Sequence, residues 1–178
     1  KTPANAHGTN PTALHAAQAL IAVGVAAVPQ LVEALTDDHW LVRASLVDVL
    51  ANLGPRASAA VPALEERLRD DHWWVRRGAA EALGRMAADG SVPLLVERLR
   101  DEDRRVRRMA SVALAQIGRC VDGAVEALRE VMEDEDRYNR FYAGLALRRL
   151  DNEEAKKLLI DALFTARWCP VTTTESRY

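Results

Sequence analysis

"DDHWLVR" at Asp37–Arg43 and "DDHWWVR" at Asp70–Arg76 are nearly one phrase, begun 33 residues apart. A catalytic motif normally occurs once in a chain, whereas a unit that must stack on itself recurs at a fixed interval. Anchored on the Val-Arg pair, Val42-Arg43, Val75-Arg76 and Val106-Arg107 stand 33 and 31 positions apart. A further 33 positions lead to Asn139-Arg140, where the valine is lost and the arginine kept.

Offsets 4, 7, 8 and 11 from each anchor are apolar: Leu46, Val49, Leu50, Leu53; then Ala79, Ala82, Leu83, Met86; then Ala110, Ala113, Leu114, Ile117; then Ala143, Ala146, Leu147, Leu150. At about 100° per residue these fall on one face, so each copy opens with an amphipathic helix. Ala16, Ala19, Leu20 and Val23 carry the pattern back into a copy that lacks Val-Arg. Gly24, Gly54 and Gly118 mark helix ends, where the chain turns left-handed. A second apolar stripe follows each: Ala27, Val28, Leu31, Leu35; Ala60, Val61, Leu64, Leu68; Val92, Leu95, Leu99; Ala124, Val125, Leu128, Met132; Ala155, Leu159, Leu163. Pro29, Pro62 and Pro93 sit at one equivalent place in the first turn of that second helix, where a missing N–H costs nothing. One hairpin cannot cover its own apolar stripe, so neighbours must stack. The expected fold is all-α, a solenoid of about five stacked helical hairpins at residues 11–36, 37–69, 70–100, 101–133 and 134–165. A loop over 1–10 and an irregular tail over 166–178 flank them.

The bulk composition agrees. The 178 residues are 49% apolar and only 5% aromatic, which favours close-packed helices over sheet. With 24 basic and 26 acidic residues, the net charge of −2 supplies no field that would draw the chain to nucleic acid. No apolar run is long enough to cross a bilayer, so no membrane insertion is expected. Cys120 and Cys169 match no metal spacing, and their separation argues against a disulfide; cysteine usage leans to a reducing, cytoplasmic setting. The start at Lys1 leaves open a processed or partial chain.

The phrases Asp37/Val42/Arg43/Leu46/Leu50, Asp70/Val75/Arg76/Ala79/Leu83 and Asp101/Val106/Arg107/Ala110/Leu114, with Asp134/Arg140/Ala143/Leu147 as a degraded fourth, resemble the HEAT-repeat family. The nearest likeness is to the short-repeat branch named after the phycobilisome lyases, over roughly Pro11 to Thr165. The resemblance implies a right-handed superhelix with first helices outside and second helices lining a concave groove. It also implies a non-catalytic scaffold or adaptor for another protein, as a subunit of a larger complex. Two catalytic alternatives come with the family: a bilin lyase or chaperone subunit, and a HEAT-like DNA glycosylase. Each turn histidine is followed by Trp, which argues against the His-Glu dyads of HEAT-like di-iron hydroxylases.

Three features stand out as candidates. The pairs Asp37/Arg43, Asp70/Arg76, Asp101/Arg107 and Asp134/Arg140 read as a ladder tying one inter-repeat turn to the next. His39, Trp40, His72, Trp73 and Trp74 cluster in those turns and read either as an aromatic edge for a partner or as lids over the neighbouring hairpin. A metal shared by His39 and His72 would need both side chains to lean together; no metal or other cofactor is expected. Glu33, Glu66, Glu97, Glu130 and Asp161 recur opposite the core stripe of the second helices, as an acidic column on the groove floor or as ordinary exposed helix formers. Arg69 and Arg100 would partly neutralise it. The run Arg104, Arg105, Arg107, Arg108 follows Asp101, Glu102 and Asp103, so a self-paired face is expected there and not a nucleic-acid site. Trp168 is expected to fold back over the last hairpin.

Overall fold

The structure is a computed structural model and describes residues 11–119, 123–150 and 152–165; the loop 1–10, the tail with Trp168 and Cys169, and Cys120 lie outside the described residues. Helices and short 3-10 turns make up the regular structure, with no strand among the described residues. First helices are α1 (Pro11–Val23), α3 (Trp40–Leu53), α5 (Trp73–Arg85), α7 (Arg104–Ile117) and α9 (Arg137–Arg149). Second helices are α2 (Val28–Ala34), α4 (Val61–Arg67), α6 (Val92–Arg98), α8 (Ala124–Val131) and α10 (Glu153–Thr165). The result is an all-α solenoid of stacked hairpins.

Local chemistry sets these limits. The prolines occupy the second residue of α2, α4 and α6, and 3-10 turns lead into all three. Gly24, Gly54 and Gly118 adopt φ of 74°, 57° and 70° where first helices end, and Ala87 takes that role after α5 with φ 51°. The core matches the two stripes: from Val49 onward nearly all their residues are buried, and Leu50, Leu64, Leu83, Leu95, Leu128 and Leu147 are fully so. Unit one departs from the pattern. Ala16 and Ala19 are exposed, Val23 is 61% exposed, and Leu20 and Ile21 are only half-buried. Among the described residues this unit has a neighbouring unit on one side only, so part of its stripe meets no described partner.

The two layers are packed differently. First helices pack along their length on the first helix of the next unit, while second helices barely touch one another and lean on the following first helix instead. Small residues allow the close approach. A Cβ on Gly84 would come within 2.7 Å of the Ala113 Cα, and one on Gly78 within 2.9 Å of Val47 Cγ1. The acidic residues Glu33, Glu66, Glu97, Glu130 and Asp161 stand on α2, α4, α6, α8 and α10.

Candidate functional site

The recurring Asp and Arg build one continuous ladder. In each unit the arginine turns one arm back on its own turn: Arg43 Nη1 donates to the carbonyls of Asp37 and Asp38 at 2.8 and 3.1 Å. Its other edge reaches forward, Nε and Nη2 donating to the Asp70 carboxylate of the next unit at 2.7 and 2.8 Å. Arg76 repeats this on Asp101 at 2.9 and 2.9 Å, and Arg107 on Asp134 at 2.6 and 3.2 Å. The planar fork of arginine fits a carboxylate edge-on, which a lysine cannot do. Each aspartate also accepts the backbone N–H two residues on, from His72, Asp103 and Asp136 respectively. The carboxylate bond raises Arg43, Arg76 and Arg107 further above their ordinary value, against burial. Burial alone would push the Asp70 and Asp134 carboxyls up; the arginine forks and N–H donors outweigh it and hold both below the usual range.

The residue two places after each aspartate caps the first helix. His39 Nδ1 accepts from Leu41 N and His72 Nδ1 from Trp74 N, both at 3.2 Å, where Asp103 and Asp136 accept from Arg105 and Tyr138 at 2.8 Å. The periodicity already placed His and Asp at one position; their shared ability to accept a hydrogen bond was the missed signal. Neither Nδ1 is then free for a metal shared by the two histidines. Both Nδ1 atoms are committed to the backbone, and the Trp40 ring lies parallel to His72 at 3.8 Å. Among the described residues no group of three His, Cys, Asp or Glu side chains is placed to hold a metal.

The aromatic residues form a stacked file across the turns. Trp40 covers His72, and Trp73 is covered by the Arg105 guanidinium, 3.2 Å from the ring centroid. Arg105 is steadied there by Asp103, whose carboxyl it holds below the usual range. Trp40 and Trp73 are therefore half-buried between units, while Trp74 stays 39% exposed. Leu41, Trp74, Arg105 and Tyr138 occupy one equivalent place, the second residue of α3, α5, α7 and α9, and all four are exposed. The rest of the basic run is self-paired: Arg104 and Arg108 both meet Asp136, at 3.5 and 3.0 Å.

On the second helices, Glu33, Glu66, Glu97, Glu130 and Asp161 are all exposed. Their neutralisation runs both between and within units: Arg69 reaches Glu97 at 3.5 Å and Arg100 grips Glu130 at 2.7 and 3.0 Å, while Arg67 approaches Glu66 at 3.6 Å and Arg98 approaches Glu97 at 3.7 Å. A notch of about 330 Å³ lies beside these pairs, lined by Arg69, Arg76, Arg98 and Arg100 and by four carboxylates, a balanced surface with no net preference for an anion.

Comparison with known proteins fits this architecture. The family model for HEAT repeats matches residues 6–84, 61–123 and 92–171. No curated protein matches the chain. Among solved structures, an engineered protein is 27% identical, with TM-score 0.67, over 91% of this chain and 85% of that one. A designed armadillo repeat protein in complex with the peptide (KR)4 is 20% identical, with TM-score 0.65, over 88% and 82%. A computationally designed armadillo repeat protein for modular peptide recognition is 21% identical, with TM-score 0.63, over 88% and 82%. The three matched stretches span the whole ladder from Asp37 to Arg140, and the chain belongs to the HEAT-repeat family.

Proposed function

We propose that the chain is a non-catalytic interaction module whose protein partner lies across the beginnings of the first helices. HEAT-repeat solenoids typically serve as protein-interaction scaffolds, and one observation supports this placement. Leu41, Trp74, Arg105 and Tyr138 are exposed at one equivalent place on successive first helices, while the polar groups around them are already paired. Large side chains with one apolar face and one polar end are the usual anchors of protein interfaces. Trp74 and Tyr138 are the anchors, Arg105 the charged contact between them, and the stacked Trp40, His72 and Trp73 hold the file in place. The acidic column on the second helices, Glu33, Glu66, Glu97, Glu130 and Asp161, biases the partner's approach by charge.

The test is affinity purification with the wild-type chain and with Trp74→Ala/Tyr138→Ala. A protein retained by the wild type and lost by the double variant is expected, with the thermal midpoints of the two chains within a few degrees. Retention of the same proteins by both chains refutes the placement. Salt-dependent association that responds to Glu97→Gln/Glu130→Gln and ignores Trp74 moves the contact to the acidic column.

A further inference from the structure

The seams between successive first helices are not alike. Just before the ladder arginine, α5 and α7 carry Val75 and Val106, both fully buried, and α9 carries Asn139, buried as completely. Its Nδ2 donates at 3.0 Å to Asp134 Oδ2, the oxygen that Arg107 Nε grips across the seam, which places the amide between α7 and α9. The Asn139 Oδ1 is buried and has no hydrogen-bond partner among the described residues, and neither has the buried Arg108 Nε, whose Nη2 crosses the same seam to Asp136. No side chain of α3 or α5 carries such an atom. The rung is also looser here. The Arg107 and Asp134 side chains are 17% and 7% exposed, against 8% and 3% for Arg43 and Asp70. Arg43 and Arg76 each bond a flanking acid as well, Asp71 at 2.6 Å and Glu102 at 3.0 Å, whereas no hydrogen bond joins Arg107 to Glu135.

We infer that the α7–α9 seam is a salt-sensitive hinge, at which the hairpin of α9 and α10 parts from α7 as one unit while α5 and α7 stay stacked. Each unit of a solenoid is held only by its neighbours, so the stack opens first where one interface is weakest. Apolar packing does not single this seam out: Ala110, Ala113 and Leu114 on α7 and Ala143, Ala146 and Leu147 on α9 are as buried as their counterparts. The difference is polar. A buried acceptor left unpaired forfeits the water it had in the open state, so opening relieves Asn139 and not Val75 or Val106. The fastenings that compensate are the pairs of Arg104 and Arg108 with Asp136, at 3.5 and 3.0 Å, whose arginine side chains are 66% and 32% exposed. Salt screens pairs of that kind and leaves the dry Arg76–Asp101 rung nearly untouched. All these groups lie on α7, α9 and the turn between their units, so the hinge holds whatever binds the exposed row of Trp74 and Tyr138.

Native-state hydrogen exchange of the full chain tests the hinge. The amides of α9 are expected to share one opening, populated at least about tenfold more than the opening of α5. Asn139→Val, which copies Val75 and Val106, should lower the open population of α9 about tenfold and leave that of α5 unchanged, the effect of removing one orphaned buried acceptor. Raising sodium chloride from about 0.1 M to about 1 M, which shortens the screening length about threefold, should raise the open population of α9 several-fold relative to α5. Equal protection of α9 and α5 overturns the inference. So does an α9 opening that Asn139→Val leaves unmoved, because the hairpin then frays without regard to what fills the seam. Should that variant not fold, the salt response of the wild-type chain decides in its place, and a response equal in α9 and α5 overturns the hinge.

Discussion

Asp101→Ala tests the ladder at its centre. The pair is nearly dry, with Arg76 and Asp101 side chains 7% and 3% exposed. Removing the carboxylate strands Nε and Nη2 of Arg76, leaving Nη2 only its bond to the exposed Glu102 at 3.0 Å, and also frees the Asp103 N–H. Breaking a buried pair from one side costs about 3–5 kcal/mol, because a charge remains desolvated without its partner. At roughly 2–4 °C per kcal/mol for a chain of this size, the thermal midpoint should fall by about 6–20 °C. The exposed pair Arg69–Glu97, with side chains 65% and 51% exposed, gives the contrast: Glu97→Ala should cost about 0–1 kcal/mol. Arg76→Met/Asp101→Leu should be more stable than Asp101→Ala alone, since no charge is stranded. Thermal melts followed by far-ultraviolet circular dichroism decide it, and Asp101→Ala should separate the melt into two steps, because units joined only by neighbour contacts uncouple where a contact fails. A midpoint within about 2 °C of wild type, a loss of about 1 kcal/mol at most, refutes the account, as does a double variant no better than the single.

Three further outcomes follow from the same geometry. Gly84→Ala should destabilise by about 1–2 kcal/mol in urea unfolding even though Ala is the better helix former by about 1 kcal/mol, because the new Cβ meets the backbone of α7 at 2.7 Å; Gly90→Ala, which meets nothing within 4 Å, should be neutral or stabilising. His39→Asp should stabilise by about 0.5–1 kcal/mol in the same assay, since the shorter carboxylate bond seen at Asp103 replaces an imidazole at 3.2 Å and a negative charge suits a helix N-terminus. Asp70, Asp103 and Asp134 are held below the ordinary carboxylate range, so their contribution is present above about pH 4 and lost as pH falls through their depressed values; the thermal midpoint should be level above about pH 5 and fall below about pH 4, and a level profile down to about pH 2 counts against the ladder.

What the sequence disclosed, and what it withheld, divides along a physical line. Period, helix order and core positions follow from which side chains avoid water, and a spacing of 31–33 with two apolar stripes expresses that directly. The ladder was legible as a recurring Asp and Arg because a charge pair repeated at every turn has little use except to join turns. A helical wheel gives burial on one helix but no distance between two, so it could not say which layer packs helix against helix. That information sat in the size of the buried residues: Gly78, Ala79, Ala80 and Gly84 on α5 against Leu64 and Leu68 on the α4 side, small side chains permitting the closer approach. The file of Leu41, Trp74, Arg105 and Tyr138 was hidden for another reason. Its members share a backbone place and not a residue type, so a search by chemistry singled out the two histidine-tryptophan turns and passed over Arg105 and Tyr138. Capping shows why position is the better guide here. Each of the four turns must satisfy the same N–H two residues on, and His and Asp are interchangeable solutions to that demand, whereas the side chain carried by the N–H itself is under no such constraint. Conserved duty at the cap and freedom one step beyond it make a rigid frame with a variable exposed row, and such a row can be fitted to a partner without disturbing the stack.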